Sequence, residues 1–216
     1  MPTVAPRTIA RVVAVVAAVG GALLVAYLLG TFPTAELVTA TSGRDLTNEG
    51  SGNPGASNAY RVAGRKAGAI VLVGDLLKGA LASVFGLAVG GLIDPGGPGY
   101  RILGYACGLA AVVGHCWPLL RLGKGGRGVA SGGGTMLILE PVVTVIAFLS
   151  WLAVAKLSRA ASLASLGLCI GIPLAIWFLG RPLAELGFAV AIAAIIVLRH
   201  LPNIGRLRRG EERTLP

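Results

Sequence analysis

From residue 12 to residue 198 the chain is a succession of apolar runs, most of them close to the length that crosses a bilayer, and this leaves few ways to fold. In hydrocarbon the backbone must satisfy its own hydrogen bonds, which a helix does within a single segment. The runs read 12–29, 67–93, 102–120, 129–140, 142–157, 161–179 and 183–198. With 55% hydrophobic and 13% charged residues, the sequence predicts an all-α polytopic membrane protein. Residues 1–216 read as one integral-membrane domain, with a basic tail over 199–216. Thirty-three glycines suit close helix approach, since lipid gives helices no hydrophobic reason to associate.

Residues 129–157 are too long for one comfortable crossing at about 1.5 Å per residue, and Glu140-Pro141 falls near their middle. The cations settle how that stretch runs. Arg44, Arg61, Arg65 and Lys66 share one connection, and Arg121, Lys124 and Arg127 another. Lys156 and Arg159 flank a turn, while Arg199, Arg206, Arg208, Arg209 and Arg213 fill the tail. All these groups lie on the cytoplasmic side, as positive charge in short loops requires, only if 129–157 enters and returns as two short helices. That gives about seven transmembrane or half-membrane helices, with the N-terminus outside and the C-terminus cytoplasmic. The first run reads as a retained helix, since no clear cleavage site follows it.

The net charge of +10 gives no argument for nucleic acid, because topology alone places these cations where they are. Cys107, Cys116 and Cys169 show no CxxC spacing and all lie in apolar runs, so they read as buried thiols, with neither a disulfide framework nor a metal site.

Ionised side chains are expensive in a chain this apolar, so their clusters point to work. Residues 114–134, GHCWPLLRLGKGGRGVASGGG, alternate Lys124 and Arg127 with Gly123, Gly125, Gly126 and Gly128. Glycine lets backbone N–H groups converge and the cations add charge, a combination that suits a phosphate. The stretch is not a GxxxxGK[ST] loop, so nothing in it implies a nucleotide. Residues 50–68, GSGNPGASNAYRVAGRKAG, set Ser51, Asn53, Ser57 and Asn58 among glycines ahead of Arg61 and Lys66. Charge for a phosphate and neutral donors for an alcohol are what a hydroxylated phosphate ester needs. An interfacial turn with capping Ser and Asn explains the same pattern equally well. In the closing RHLPNIGRL, His200 can carry a proton near neutrality, and Asn203 and Arg206 follow near one helix face. Ser162 and Ser165 share a face at i,i+3, and Asp75 and Lys78 are spaced to pair with each other.

Together these stretches resemble one family, the bacterial acyl-phosphate:glycerol-3-phosphate acyltransferases. SGNPGASNAYRVAGRKAG through GDLLKG is similar to that family's SGNxGATNxxRxxGxKxG…DxxKG. GHCWPLLRLGKGGRGVA resembles GHxFPxFxxFKGGKGVAT, and SLASL with RHLPNIGRL resembles SLxSL with RHxxNIxRL. The resemblance runs from about Gly30 to Leu207. Thr31 departs from a family Ser, Thr47 from a family Arg, Arg127 from Lys, Ser131 from Thr and Trp117 from Phe.

The resemblance implies seven helices in the bacterial inner membrane and an active site facing the cytoplasm. It also implies transfer of an acyl group from acyl phosphate to the 1-hydroxyl of glycerol 3-phosphate, giving lysophosphatidic acid and phosphate without cofactor or metal. Ser51, Arg61 and His200 are then the catalytic candidates. Asn53, Asn58, Lys66, Lys124, Gly125, Gly126, Arg127, Gly128, Ser162 and Asn203 are the substrate and phosphate contacts. The partners are the two substrates and membrane lipid, and the expected state is a monomer. A small transporter of a phosphorylated solute, or a paralogue with another donor or acceptor, are the competing readings. Polar clusters confined to one membrane side favour transfer, since a transporter should show polar groups at midplane or on both sides.

Overall fold

The computed structural model describes residues 6–41 and 43–214, and its described residues are mostly helical with no strand. Helices α1 (Pro6–Thr31), α2 (Thr34–Ala40), α3 (Ala56–Ile93) and α4 (Gly99–Cys116) are followed by a single 3₁₀ turn, Leu119–Arg121. Helices α5 (Val129–Leu139), α6 (Pro141–Ser158), α7 (Ala161–Phe178), α8 (Leu183–Arg199) and α9 (Leu201–Arg208) complete the chain. Four stretches are long and apolar enough to cross a membrane, or five if α8 and α9, bent by 58°, count as one.

Helix α4 lies at the centre, packed against α1, α3, α5 and α8. Tyr105, Cys107, Ala111, Val112 and Cys116 on it are fully buried. The outward faces carry Val12, Val16, Val73, Leu77, Val142 and Phe148, all exposed, as suits a lipid boundary. All seven apolar runs are helical. Helix α4 stops at Cys116 rather than continuing to 120, because Pro118 cannot extend it. Helix α3 begins at Ala56, well before residue 67, and bends at Gly64, whose φ of 86° is open mainly to glycine. The bend divides the first two turns, carrying Asn58 and Arg61, from the apolar remainder.

The break between α5 and α6 falls at Glu140, with Pro141 as the first residue of α6, where a missing N–H costs nothing. Glu140 is 2% exposed. Its carboxylate accepts from Arg101 Nη2 at 2.7 Å, Arg181 Nη2 at 3.0 Å and the Tyr105 hydroxyl at 3.2 Å. Arg101 Nε donates to the buried Glu185 at 2.9 Å, which joins α4, α5, α6 and α8 at one end of the bundle. Removing one member of a buried ion pair leaves its partner uncompensated, at a cost of about 3–5 kcal/mol. Glu140→Ala is therefore expected to lower the Tm of the detergent-solubilised protein by several degrees, and an unchanged Tm would remove this cluster as a clamp.

Asp75 and Lys78 pair as their spacing predicts, with Nζ 2.6 Å from Oδ1, and both are buried. His115 Nδ1 lies 3.6 Å from the same oxygen. The thiols of Cys107 and Cys116 are buried and that of Cys169 half-buried, all three free.

Candidate active site

Three stretches far apart in sequence meet at one end of the bundle: the 50–61 region, the 122–131 loop leading into α5, and the turn between α8 and α9. The glycine loop is built by contacts on two sides. Gly126 N–H donates to the His115 carbonyl at 3.0 Å. A Cβ on Gly126 would overlap His115 Nε2, and one on Gly125 would overlap the His115 carbonyl oxygen. These positions are glycine because a histidine occupies the side-chain space. On the other side, Arg199 Nη2 donates to Gly125 O at 2.7 Å and Arg199 Nε to Gly126 O at 3.0 Å. The same guanidinium lies 5.5 Å from the Trp117 ring centroid, a cation–π distance.

With both carbonyls drawn toward Arg199, the loop runs into α5, whose first-turn amides at Val129, Ala130 and Ser131 have no carbonyl partner within the helix. Such an end favours an anion. Arg127 stands half-buried beside it, and burial, with Arg206 close by, pushes its guanidinium down to about 10. Glu212, also close by, offsets part of that cost. Lys124 is exposed.

The sequence marks Arg199 only as a cation of the tail. It joins the loop to the adjacent His200. Arg199→Lys keeps the charge but loses the planar fork that reaches two carbonyls and the stacking on Trp117. The expected result is a rise of about fivefold to twentyfold in the KM for an anionic substrate, equivalent to about 1–2 kcal/mol. An unchanged KM would show that the loop holds its shape without Arg199.

His200, 2% exposed, has Nδ1 2.7 Å from the Ile196 carbonyl oxygen. A carbonyl can only accept, so Nδ1 carries the hydrogen and Nε2 of the neutral ring keeps its lone pair. One turn on, Asn203 Nδ2 donates to Glu212 Oε1 at 2.6 Å, while its buried Oδ1 has no protein partner. Ser162 Oγ donates to the same Oε1 at 3.0 Å, and Arg206 Nε to Oε2 at 3.0 Å. Arg61 Nε donates to Thr214 O at 3.1 Å. The segment 211–214 thus straps across the site. It brings Ser162, Asn203 and Arg206 to one carboxylate and sets Arg61 beside them.

The first cluster is arranged differently from its expectation in one respect. Asn58 is 1% exposed, and its amide is spent on backbone: Oδ1 accepts from Ser51 N–H at 2.8 Å, and Nδ2 donates to Leu46 O and Glu49 O, each at 3.0 Å. It shapes the loop that presents Ser51 rather than facing a ligand. Ser51 and Asn53 are half-buried, and Lys66, beyond the bend at Gly64, is exposed. Ser165, the i,i+3 partner of Ser162, accepts from Trp151 Nε1 and donates to Ala161 O, a packing role. One helical turn from His200, at Ile196, an apolar groove opens between α5, α7 and α8.

A helical membrane bundle with cations, a glycine loop and a histidine gathered beside an apolar groove defines a lipid-modifying membrane protein. The chain belongs to the glycerol-3-phosphate acyltransferase family, whose model matches residues 20–210. It is 40% identical over 191 residues to the glycerol-3-phosphate acyltransferase of Rubrobacter xylanophilus, covering 88% of this chain and 92% of that one. To the enzyme of Aquifex aeolicus it is 38% identical over 190 residues, covering 88% and 95%. Among solved structures it resembles PlsY, an integral membrane glycerol 3-phosphate acyltransferase, in its glycerol 3-phosphate form. The TM-score is 0.84 at 35% identity, over 92% of this chain and 96% of that one. The lysophosphatidic acid form of the same protein superposes with a TM-score of 0.81, also at 35% identity, over 91% and 94%. The chain is an integral membrane acyltransferase acting on glycerol 3-phosphate.

Proposed function

We propose that the protein transfers a fatty acyl group from acyl phosphate to the 1-hydroxyl of glycerol 3-phosphate, releasing lysophosphatidic acid and inorganic phosphate. The observation that carries this reading is the convergence of Arg127, Arg206 and the α5 N-terminus with the free Nε2 of His200, beside an apolar groove. Two phosphates need cations and amides, the alcohol needs a neutral acceptor, and the chain needs an apolar wall. In the membrane this site faces the bacterial cytoplasm, with seven helical segments, the N-terminus outside and the whole chain one monomeric domain.

Acyl phosphate is a mixed anhydride, so positioning and charge neutralisation supply most of what is needed. Arg61, Lys124, Arg127 and the first-turn amides of α5 hold the two phosphates. Ser51, Ser162 and Asn203, the last through its unpartnered Oδ1, orient the glycerol hydroxyls. The 1-hydroxyl oxygen attacks the acyl carbonyl carbon, and the bond from that carbon to the phosphate oxygen breaks, its electron pair leaving with phosphate. His200 Nε2 accepts the hydrogen bond of the attacking hydroxyl, whose proton passes to it or to the departing phosphate. Direct transfer explains why Ser51 has no Ser-His-Asp partners.

The donor is tested by offering purified protein palmitoyl phosphate or palmitoyl-CoA with glycerol 3-phosphate. Lysophosphatidic acid from the phosphate alone is expected, and equal or greater yield from the thioester would overturn the donor assignment.

A further inference from the structure

The groove between α5, α7 and α8 starts at the site and has a floor. Val129, next to the glycine loop, and Ile196, whose carbonyl holds His200, form its mouth. Its lining ends at Met136 on α5, Pro173 on α7 and Ala189 on α8. At 1.5 Å per residue, the walls from mouth to floor run roughly 10–12 Å. One turn further, the space is filled by Leu139 and Ile176, at 2% and 0% exposed, packed with Tyr105. Behind Tyr105, Arg101 pairs with the buried Glu140 and Glu185. A hydrocarbon tail cannot enter there without separating the buried Glu140 and Glu185 from Arg101. At about 1.3 Å per methylene, a groove of this depth along its helices holds roughly eight carbons.

Resting on the acyl-transfer reading above, we propose that this groove reads only about the first eight carbons of the acyl chain, and that Cys169 and Ala193, on two of its walls, determine that reading. Carbons beyond the floor leave sideways into lipid, where they gain nothing from the protein. Cys169 lies four residues past Ser165 along α7, roughly 6 Å into the groove. It is half-buried, so its space can take a larger ring at little cost to packing. Ala193 lines the groove from α8 and is 9% exposed. Small side chains at both positions keep the groove open.

The test is kcat/KM for butyryl, hexanoyl, octanoyl and palmitoyl phosphate at fixed glycerol 3-phosphate, in the unsubstituted protein and in Cys169→Phe and Ala193→Leu. In the unsubstituted protein the soluble donors should gain about threefold to fourfold per methylene from four to eight carbons, the worth of burying each methylene. Either substitution should leave butyryl phosphate within about twofold while octanoyl and palmitoyl phosphate fall tenfold or more, with the KM for glycerol 3-phosphate unchanged. A flat series from four to eight carbons overturns the proposal without any variant. So does a loss in the variants that is equal for all donors, or no loss for the longer ones. If no donor yields lysophosphatidic acid, the acyl-transfer reading itself fails, a result distinct from each of these.

Discussion

Replacing His200 with alanine is expected to lower kcat by about a hundredfold or more, the range in which a positioned proton acceptor contributes. The size of the effect follows from the ring's fixed tautomer. With Nδ1 held 2.7 Å from the Ile196 carbonyl, Nε2 is the one free acceptor of the ring and needs no reorganisation to meet a hydroxyl. The KM for acyl phosphate should move little, because the cations that hold phosphate lie on other elements. Tm in detergent should fall by no more than a few degrees, as the ring makes one hydrogen bond. Turnover within threefold of the unsubstituted protein would place the chemistry elsewhere.

Gly126→Ala is expected to raise the KM for glycerol 3-phosphate by about tenfold to a hundredfold through a single methyl group. That methyl would overlap His115 Nε2, and His115 cannot retreat readily: it is 5% exposed, with Asp75 beside Nδ1 and Asp75 tied to Lys78. The loop must move instead, taking the Gly125 and Gly126 carbonyls away from Arg199 and shifting the α5 amides. Overpacking of a fixed site costs about 1–3 kcal/mol, and here the displaced group is the proposed phosphate cradle. Gly133→Ala, in the same helix system but with its nearest neighbour an ordinary 3.5 Å away at Leu76, serves as the comparison and should bind glycerol 3-phosphate normally. Equal KM values for the two variants would take the loop out of the acceptor site.

The parts of the fold that sequence could reveal are those dictated by the solvent. Apolar length marked where helices lie, and a break does fall at Glu140-Pro141, separating α5 from α6. What could not be read depends on long-range pairing. Helix α2 is short and mixed in polarity, and it is held by Arg121, which pairs with Glu36 and reaches Thr31 O at 3.2 Å from far along the chain. The start of α3 at Ala56 was hidden because its first turns are polar and the bend at Gly64 interrupts the periodicity. Glu212 sits in a tail whose composition reads as a basic anchor, and only its contacts with Ser162, Asn203 and Arg206 reveal it as an organiser of the site. Asn58 belongs to the right motif yet is committed to backbone carbonyls and an amide that no spacing could show. Arg199 was counted as one cation among several, although its two bonds to the glycine loop set it apart.

Phosphate release by purified protein in lipid or detergent, given palmitoyl phosphate with and without glycerol 3-phosphate, tests the central claim most directly. Release that requires the acceptor, with lysophosphatidic acid formed mole for mole, is the result expected of direct transfer. Release at the same rate without glycerol 3-phosphate, or none while glycerol 3-phosphate still raises the Tm, would contradict it.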